Sequence, residues 1–352
     1  MKNDLVFCTL FDINYIDKAC TMYDSMESFD EGFKLYILCM DEKVYDVLSQ
    51  MRLSSVILVH LSQVMDDALE VAKSNRSRGE FCWTCTSYII QYVLEHYNEE
   101  ICTYIDADMF FYSSPKVLLE EFNTSNASIG IIEHRFNNNL IGRKSKEISG
   151  TYCVEFNTFK NDNEGMKALK WWMKSCLNEC SSDSSNKNLG DQTYVEDFPK
   201  LFNGVYVYKN LGAGMAPWNI SQYSLCDNGN VVYKSNPIVP VFYHFHGITY
   251  FKDYVTIGVF YRAFRNDIQL IDTLYKEYLS KIERKRSILR KEFGLRFNYE
   301  DLSRKVTTET RKRDAKYYIK KITNPFVLFL KARIYLTKRK DTFYFSELDA
   351  NK

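Results

Sequence analysis

Two acidic residues, Asp106 and Asp108, leave the end of an apolar run that predicts a β-strand, Cys102–Ile105. Side chains two positions apart on a strand point to the same side, so the two carboxylates would repel each other unless a cation lay between them. Carboxylate oxygens suit Mg²⁺ or Mn²⁺, and such an ion commonly bridges to phosphate oxygens. The pattern therefore favours a divalent metal that holds a diphosphate, although two solvated turn acids would have the same spacing.

A second candidate for metal binding is a predicted strand on which His244 and His246 lie two positions apart. Imidazole nitrogen also accepts Mn²⁺. A His pair with ordinary hydrogen bonds is the alternative, and that is the interpretation we adopt for the remaining three His residues. These are His60, His96 and His134.

Two polar segments further along the chain could contact a sugar. Asp191 and Gln192 open a predicted helix, where Asp191 is either a helix N-cap or, with the neighbouring amide, a group that orients sugar hydroxyls. Trp218 and Asn219 lie in a loop that contains Gly. The indole could cover the apolar face of a sugar, or it could pack in the core.

These residues need a scaffold, and the first half of the chain predicts one. Continuous apolar runs at 6–11, 35–40 and 56–61 alternate with segments of helical spacing. Apolar strands separated by helices are typical of a parallel sheet that is covered on both faces. We therefore predict a doubly wound α/β fold whose carboxyl edge, where such sheets bind ligands, carries Asp106 and Asp108.

Composition and missing motifs exclude other classes of protein. The chain is 45% apolar and 15% aromatic, which excludes intrinsic disorder. It has no P-loop, no GxGxxG and no GxSxG, which disfavours P-loop kinase, dinucleotide and serine-hydrolase chemistry. Ten Cys without a repeated spacing indicate reduced thiols, and we interpret the CxxC pair Cys82 and Cys85 as structural. With no signal-peptide pattern and no apolar run of membrane-spanning length, we expect a cytoplasmic protein.

The order of these motifs resembles that of GT-A-fold glycosyltransferases, closest to glycosyltransferase family 8 and related bacterial polysaccharide enzymes. The resemblance covers about residues 5–260 and rests on Asp106-Ala107-Asp108, Asp191-Gln192, Trp218-Asn219 and His244-Phe245-His246-Gly247. It implies a GT-A fold and the metal-dependent transfer of a hexose from a nucleotide-sugar, a UDP-hexose, to a glycan or lipid-linked acceptor. It also implies retention of configuration and a place in surface polysaccharide or lipopolysaccharide assembly.

The same resemblance implies a role for each matching residue. Those implied to bind Mn²⁺ or Mg²⁺ with the donor diphosphate are Asp106, Asp108 and His244, with Gly247 beside them. Those implied to contact the nucleotide are Phe11, Asp12 and Tyr15, together with Trp83 and Thr84 from a segment that resembles the bacterial polysaccharide enzymes. Those implied to lie beside the sugar or the acceptor are Asp191, Gln192, Asn157, Trp218, Asn219 and His246.

The sequence departs from the family pattern in two segments. Tyr250 occupies the position of a Lys that follows the HFxG motif, and Lys252 could supply that cation instead. The family's Asn-x-Gly strand has its nearest counterpart at 155–158. A retaining double displacement would need a carboxylate nucleophile, for which Asp191 and Glu155 are candidates, whereas a same-face attack guided by the leaving phosphate needs none. The sequence leaves both routes open.

Basic residues are concentrated near the C-terminus. Residues 281–340 hold 20 Lys and Arg against six Asp and Glu, although the whole chain has a net charge of +1. We predict a glycosyltransferase domain at 1–260 and a basic, aromatic-rich helical region at 261–352. Basic and aromatic residues at helical spacing favour peripheral docking on an anionic membrane, here its inner face, over a plain solvated helical subdomain. No nucleic-acid-binding motif is present.

Two other functions fit part of the pattern. A metal-dependent phosphoesterase could use Asp106 and Asp108, but phosphatases of the Asp-x-Asp type carry that pair after the first strand, and here it follows the fourth. A non-catalytic protein that binds a nucleotide-sugar or a lipid would need the same metal and donor contacts.

Overall fold

The computed structural model describes residues 5–29, 32–182, 190–252, 254–257, 267–299 and 342–344. Residues 342–344 are described by their backbone alone. The strands are β1 (Val6–Phe11), β2 (Lys34–Cys39), β3 (Val56–His60), β4 (Ile101–Ile105), β5 (Met109–Phe111), β6 (Ile129–Glu133), β7 (Tyr152–Lys160), β8 (Val205–Val207), β9 (Tyr223–Leu225), β10 (Val231–Tyr233), β11 (Asn236–Pro237), β12 (Phe242–His244), β13 (Thr249–Tyr250), β14 (Tyr254–Thr256) and β15 (Thr342–Tyr344). The helices are α1 (Ile16–Glu27), α2 (Glu42–Met51), α3 (Asp67–Asn75), α4 (Arg78–His96), α5 (Lys116–Thr124), α6 (Leu140–Ser149), α7 (Asn163–Asn178), α8 (Gln192–Val195), α9 (Phe198–Leu201) and α10 (Ile268–Phe293).

A seven-stranded sheet in the order β3-β2-β1-β4-β7-β6-β8 forms the centre of the molecule. The pairs β3–β2, β2–β1, β1–β4 and β6–β8 are parallel, and β7 is antiparallel to both of its neighbours. Side chains alternate along β1, so that Phe7 and Phe11 enter one apolar core while Val6 and Cys8 enter the other. Because both faces are covered, the predicted doubly wound, mostly parallel α/β fold is confirmed.

Helix signals in the sequence explain where several helices begin. The Asp41 side chain accepts a hydrogen bond from the backbone of Val44 at the start of α2, and Ser77 and Glu80 form a reciprocal capping box at the start of α4. Helix α4 carries Cys82 and Cys85, and both are free thiols, as predicted for structural Cys. These caps set the two helices against the sheet close to its carboxyl edge.

A short antiparallel pair lies beside this edge and positions the candidate site. Strand β5 pairs with β12, and in their register His244 lies opposite Met109. Met109 follows the second acid of the pair directly. The pairing therefore brings His244 to the two carboxylates.

Helix α10 packs against α1 and against the core around β12. Its buried side chains recur on one face and are Leu270, Ile271, Leu274, Tyr275, Tyr278, Leu279, Ile282, Arg286 and Leu289. Ile268, Ile271 and Ile282 recur at helical spacing in the sequence, and the last two are buried on this face, whereas Ile268 is exposed. Within the described ranges, no helix is long and apolar enough to cross a membrane.

The structure corrects three expectations about local structure. The segment 135–150 is polar and contains Gly, which predicts a loop, but it holds α6, whose N-cap is Asn139. The single helix predicted at 193–201 is two short helices, α8 and α9, because Pro199 lacks the N–H group that a continuous helix would use. The strand predicted at 239–245 is limited to Phe242–His244.

Candidate active site

The acidic pair lies where the chain leaves β4 and enters β5. The Asp106 backbone N–H donates to the carbonyl of Glu155 at 3.3 Å, and the Tyr104 hydroxyl donates to Asp106 Oδ1 at 3.1 Å. The Asp106 side chain is 28% exposed, whereas Asp108 is buried. One carboxylate therefore faces the open side of the sheet edge and the other lies behind it.

His244 brings the third predicted metal ligand to this pair. Its Nε2 atom lies 3.0 Å from Asp108 Oδ1 and 3.7 Å from Asp106 Oδ2. Nitrogen and hard oxygen donors in one cluster fit Mn²⁺ or Mg²⁺. His246 also belongs near this centre, since its ring nitrogen, Asp108 and His244 offer ligand atoms within 4.8 Å of one another.

Charge in the cluster is balanced by protonation. Burial raises the pKa of Asp106 to about 6. Burial also acts to raise the pKa of Asp108, but the facing His244 ring outweighs it and holds this pKa below its usual value. Burial acts to lower the pKa of His244, and the Asp108 carboxylate outweighs that effect and raises it well above the ordinary value. A divalent cation would replace this proton, as metal binding to His commonly does.

Glu155 lies behind His244 on the opposite side of the ring. It has no exposed surface, and its Oε2 lies 2.7 Å from His244 Nδ1. Its other oxygen has no hydrogen-bond partner, and an added Cβ at Gly214, where φ is +63°, would lie 3.0 Å from it. The backbone at Gly214 thus approaches the carboxylate too closely for a larger residue. A carboxylate that holds the second nitrogen of a ligating His is a common support for a metal site.

Asp191, Gln192 and Trp218 are the residues expected beside the sugar, and each has different contacts in the structure. Asp191 is 5% exposed, and burial raises the pKa of its carboxyl to about 7. The Gln192 amide donates to the carbonyl of Ser149 at 2.7 Å, which ties α8 to the end of α6. The Trp218 ring centroid lies 5.3 Å from that of His244 and 6.0 Å from that of His246. The indole therefore lines the candidate metal centre directly.

Asp12 and Tyr15, which were expected to contact the nucleotide, follow β1 at the same edge of the sheet. Arg78 Nε lies 2.5 Å from Asp12 Oδ2, and its NH2 lies 2.5 Å from Asp41 Oδ2. Tyr15 is 42% exposed, and the ammonium of Lys18 lies 3.9 Å from its ring centroid. Neither Arg78 nor Lys18 was predicted from the sequence to have a role, because an isolated basic residue has no spacing that marks it.

Two curated proteins of Bacillus subtilis strain 168 are similar to this chain, while no known family model matches it. YfnF is 30% identical over 296 residues, which cover 82% of this chain and 96% of YfnF. YfnD is 31% identical over 283 residues, which cover 79% of this chain and 88% of YfnD. The chain belongs to the YfnD and YfnF family. Both relatives carry the description "uncharacterized protein".

Solved structures that resemble this member of the YfnD and YfnF family are more distant. The apo form of mouse xyloside xylosyltransferase 1 is 14% identical with a TM-score of 0.44, and the match covers 68% of this chain and 96% of that one. The glycosyltransferase GlyE of Streptococcus pneumoniae TIGR4 is 12% identical with a TM-score of 0.46, and the match covers 84% of this chain and 65% of that one.

Several residues expected at the site are engaged inside the fold. Asn219 is fully buried, and its amide donates to the carbonyls of His134 at 2.9 Å and Gly214 at 2.7 Å. Asn157 and Thr84 are also fully buried, the former on β7 and the latter bonded to the Glu80 carbonyl within α4. In this member of the YfnD and YfnF family, these three side chains are therefore buried in the fold and are not open to a ligand.

The remaining expected contacts differ in their access to the sheet edge. Phe11 is buried at the end of β1, whereas Trp83 is 37% exposed and lies against Gly190, just before Asp191. Gly247 and Lys252 are exposed in the connections around β13. Trp83 is therefore the aromatic side chain on α4 that is open to a ligand.

Proposed function

We propose that this protein is a metal-dependent glycosyltransferase that moves a hexose from a nucleotide-sugar, a UDP-hexose, to a glycan or lipid-linked acceptor. The observation that carries the proposal is the convergence of Asp106, Asp108 and His244 at the carboxyl edge of the sheet. Ligands bind at this edge in open α/β sheets, and this donor set suits a divalent ion that holds a diphosphate. Tyr15 and Asp12 lie at the same edge, on the side proposed for the nucleoside.

Different residues of the chain would bind the metal and exclude water near the leaving group. When bound, the divalent ion would neutralise charge that develops on the leaving nucleoside diphosphate. Asp106, Asp108 and His244 would hold that ion, with His246 as the neighbouring fourth donor. Trp218 lines the centre and would exclude water from the reacting bond.

Asp191 would hold or release a proton beside the sugar. Its carboxyl is buried, and its pKa of about 7 lies near the working pH of most cells. Glu155 was the other candidate nucleophile, but its contact with His244 Nδ1 favours a positioning role. We therefore propose a retaining transfer in which either Asp191 acts as nucleophile or the acceptor attacks on the same face.

The basic region supports a proposal about the acceptor and the location of the enzyme. We propose that a domain at 1–260 carries the chemistry and that the region 261–352 docks on the anionic inner face of the cell membrane. The enzyme would then act in surface polysaccharide or lipopolysaccharide assembly. The apolar face of α10 is buried against the body, so the docking surface would be its basic outer face together with 300–340, which lies outside the described residues.

A donor screen tests this proposal. Purified protein is incubated with Mn²⁺ and a panel of nucleotide-sugars, and the release of free nucleoside diphosphate is measured, because slow transfer to water needs no acceptor. The double variant Asp106→Asn/Asp108→Asn removes the carboxylates, and Asp46→Asn, an exposed site on α2, is the matched control. Release from one donor, lost only in the double variant, supports the proposal.

Other outcomes of the screen would contradict it. Release of inorganic phosphate from simple phosphate esters, with no cleavage of nucleotide-sugars, would favour the phosphoesterase. Donor-induced thermal stabilisation without turnover, even when glycan and lipid-linked acceptors are added, would favour a binding protein.

A further inference from the structure

Lys18 is placed where a lysine is costly. It lies in the first turn of α1, where the helix dipole disfavours a positive charge. It is only 8% exposed, and a buried ammonium is unfavourable unless an anion accompanies it. Some compensating interaction is therefore needed at this position.

The part of the chain that the structure describes offers Lys18 no carboxylate within ion-pair distance. Other cations close by are paired: Arg78 with Asp12 and Asp41, Lys285 with Asp24, and Arg286 with Asp17 and Glu283. The contact found for the Lys18 ammonium is the face of the Tyr15 ring, at 3.9 Å from its centroid. The charge is thus held in place by an aromatic ring and left without a counter-ion.

Lys18 stands on a helix that contacts both parts of the proposed site. Its ammonium lies over the ring of Tyr15, the proposed nucleoside contact. Helix α1 also packs against β5, which begins directly after Asp108, and the Phe111 N–H donates to Ser25 Oγ at 3.1 Å across this contact. A diphosphate that joins the nucleoside to the metal centre would therefore lie close to α1.

Two other cations, Arg286 beside Tyr250 and Lys252, are less suited than Lys18 to contact a diphosphate. Tyr250, which stands at the family's Lys position, is buried, and Arg286 covers its ring at 3.4 Å. Arg286 is already bonded to Asp17, so it is not free to leave for a phosphate. Lys252 is exposed in the connection after β13, outside the core that surrounds the centre.

We propose that Lys18 binds the diphosphate of the nucleotide-sugar donor and takes the role of the cation that is missing at position 250. The inference rests on the proposed function. The ammonium would donate hydrogen bonds to phosphate oxygens, and it would stabilise the nucleoside diphosphate more as its negative charge grows during departure. Lys18 would thus act on the leaving group together with the metal.

Calorimetric titration of the full chain with UDP, GDP, ADP and dTDP, each with Mn²⁺, and with uridine tests the inference. The variants are Lys18→Met, Lys18→Arg and, as the matched control at an exposed site on α7, Lys174→Met. We expect Lys18→Met to weaken binding of the preferred diphosphate by about tenfold to a hundredfold and to leave nucleoside binding unchanged, because one charge-assisted contact is lost. Lys18→Arg should retain most of the affinity, and Lys174→Met all of it.

Stability separates this role from a structural one. Since an unpaired buried ammonium destabilises the fold, Lys18→Met should unfold at the same temperature as the wild type or at a higher one. Unchanged diphosphate affinity in Lys18→Met would overturn the inference, as would an equal loss for diphosphate and nucleoside. A wild-type protein that binds none of the diphosphates would instead overturn the proposed function itself.

Discussion

His244 is held through both nitrogens of its ring, and this makes it the central residue of the site. Nε2 faces the two Asp carboxylates, while Nδ1 contacts Glu155, which is completely buried. A buried carboxylate in this position keeps the proton on Nδ1 and leaves the Nε2 lone pair for a metal. The resemblance drawn from the sequence suggested Glu155 as a nucleophile, and the geometry instead favours the support of a ligand.

Glu155→Gln should therefore weaken metal binding more than it weakens the fold. Loss of such a supporting carboxylate typically costs about 10–100-fold in metal affinity. The measurement is a titration of Mn²⁺ by electron paramagnetic resonance, with thermal unfolding as the check on folding. Glu133→Gln, on the neighbouring β6, is the matched control. Wild-type Mn²⁺ affinity in Glu155→Gln would contradict this role.

Asp191 should make stability depend on pH. Burial raises the pKa of its carboxyl from 3.8 to about 7, so the folded protein keeps a proton that the unfolded chain releases. The contribution of this group to stability is fully present below about pH 4 and is lost as pH rises through about 7. Each unit by which the pKa is raised corresponds to about 1.4 kcal/mol.

Asp191→Asn cannot ionise and should remove this contribution. Urea unfolding without divalent metal, at pH 5.5 and pH 8, should show that the variant loses less stability than the wild type as the pH rises. Asp46→Asn, at an exposed site, should keep the wild-type dependence. If the free energy of unfolding changed equally with pH in Asp191→Asn and in the wild type, Asp191 would ionise normally and this prediction would be wrong.

Among the helices and strands, those with a regular apolar pattern could be predicted from the sequence. Strands β1 to β4 appear close to their predicted bounds, because continuous apolar runs between helices have few other solutions. The pairing of β5 with β12 was not predicted. Each strand has three residues, too few for a pattern, and their partnership is a long-range contact that only the folded chain reveals. The proximity of His244 to the acids therefore came from family resemblance, and their distances came from the structure.

A buried ion pair joins α1 to α10. Arg286 Nε lies 2.6 Å from Asp17 Oδ2, and the two side chains are 5% and 0% exposed. Arg286→Met should destabilise the protein by about 3–5 kcal/mol, because it leaves a buried carboxylate without its cation. Urea unfolding measures this cost, and the double variant Asp17→Asn/Arg286→Met should recover part of it.

The neighbouring residue on α10 provides the control. Lys285 pairs with Asp24, whose side chain is 50% exposed, so Lys285→Met should cost less than about 1 kcal/mol. Equal losses in Arg286→Met and Lys285→Met would mean that burial does not set the strength of this contact.

At the scale of the whole molecule, the excess of positive charge lies in one part of the chain. The described portion of the basic region is mostly α10, which presents its apolar face to α1 and the core. A helix packed in this way cannot insert the same face into a bilayer. Any docking of the region on a membrane must therefore come from electrostatic attraction by exposed Lys and Arg, which salt screens.

Binding of the protein to anionic vesicles should therefore depend on its basic residues and on the salt concentration. Replacing the Lys and Arg of 304–340 by Gln in the full chain should reduce sedimentation with vesicles that contain phosphatidylserine, because each basic residue near an anionic surface contributes about 1 kcal/mol. The wild-type protein should be released by about 0.5 M salt and should not sediment with phosphatidylcholine alone. The matched control replaces exposed Lys residues outside 281–340, in the same number as the Lys and Arg replaced in 304–340. Binding that survives both the substitutions and high salt would show that apolar insertion, and not charge, holds the protein on the membrane.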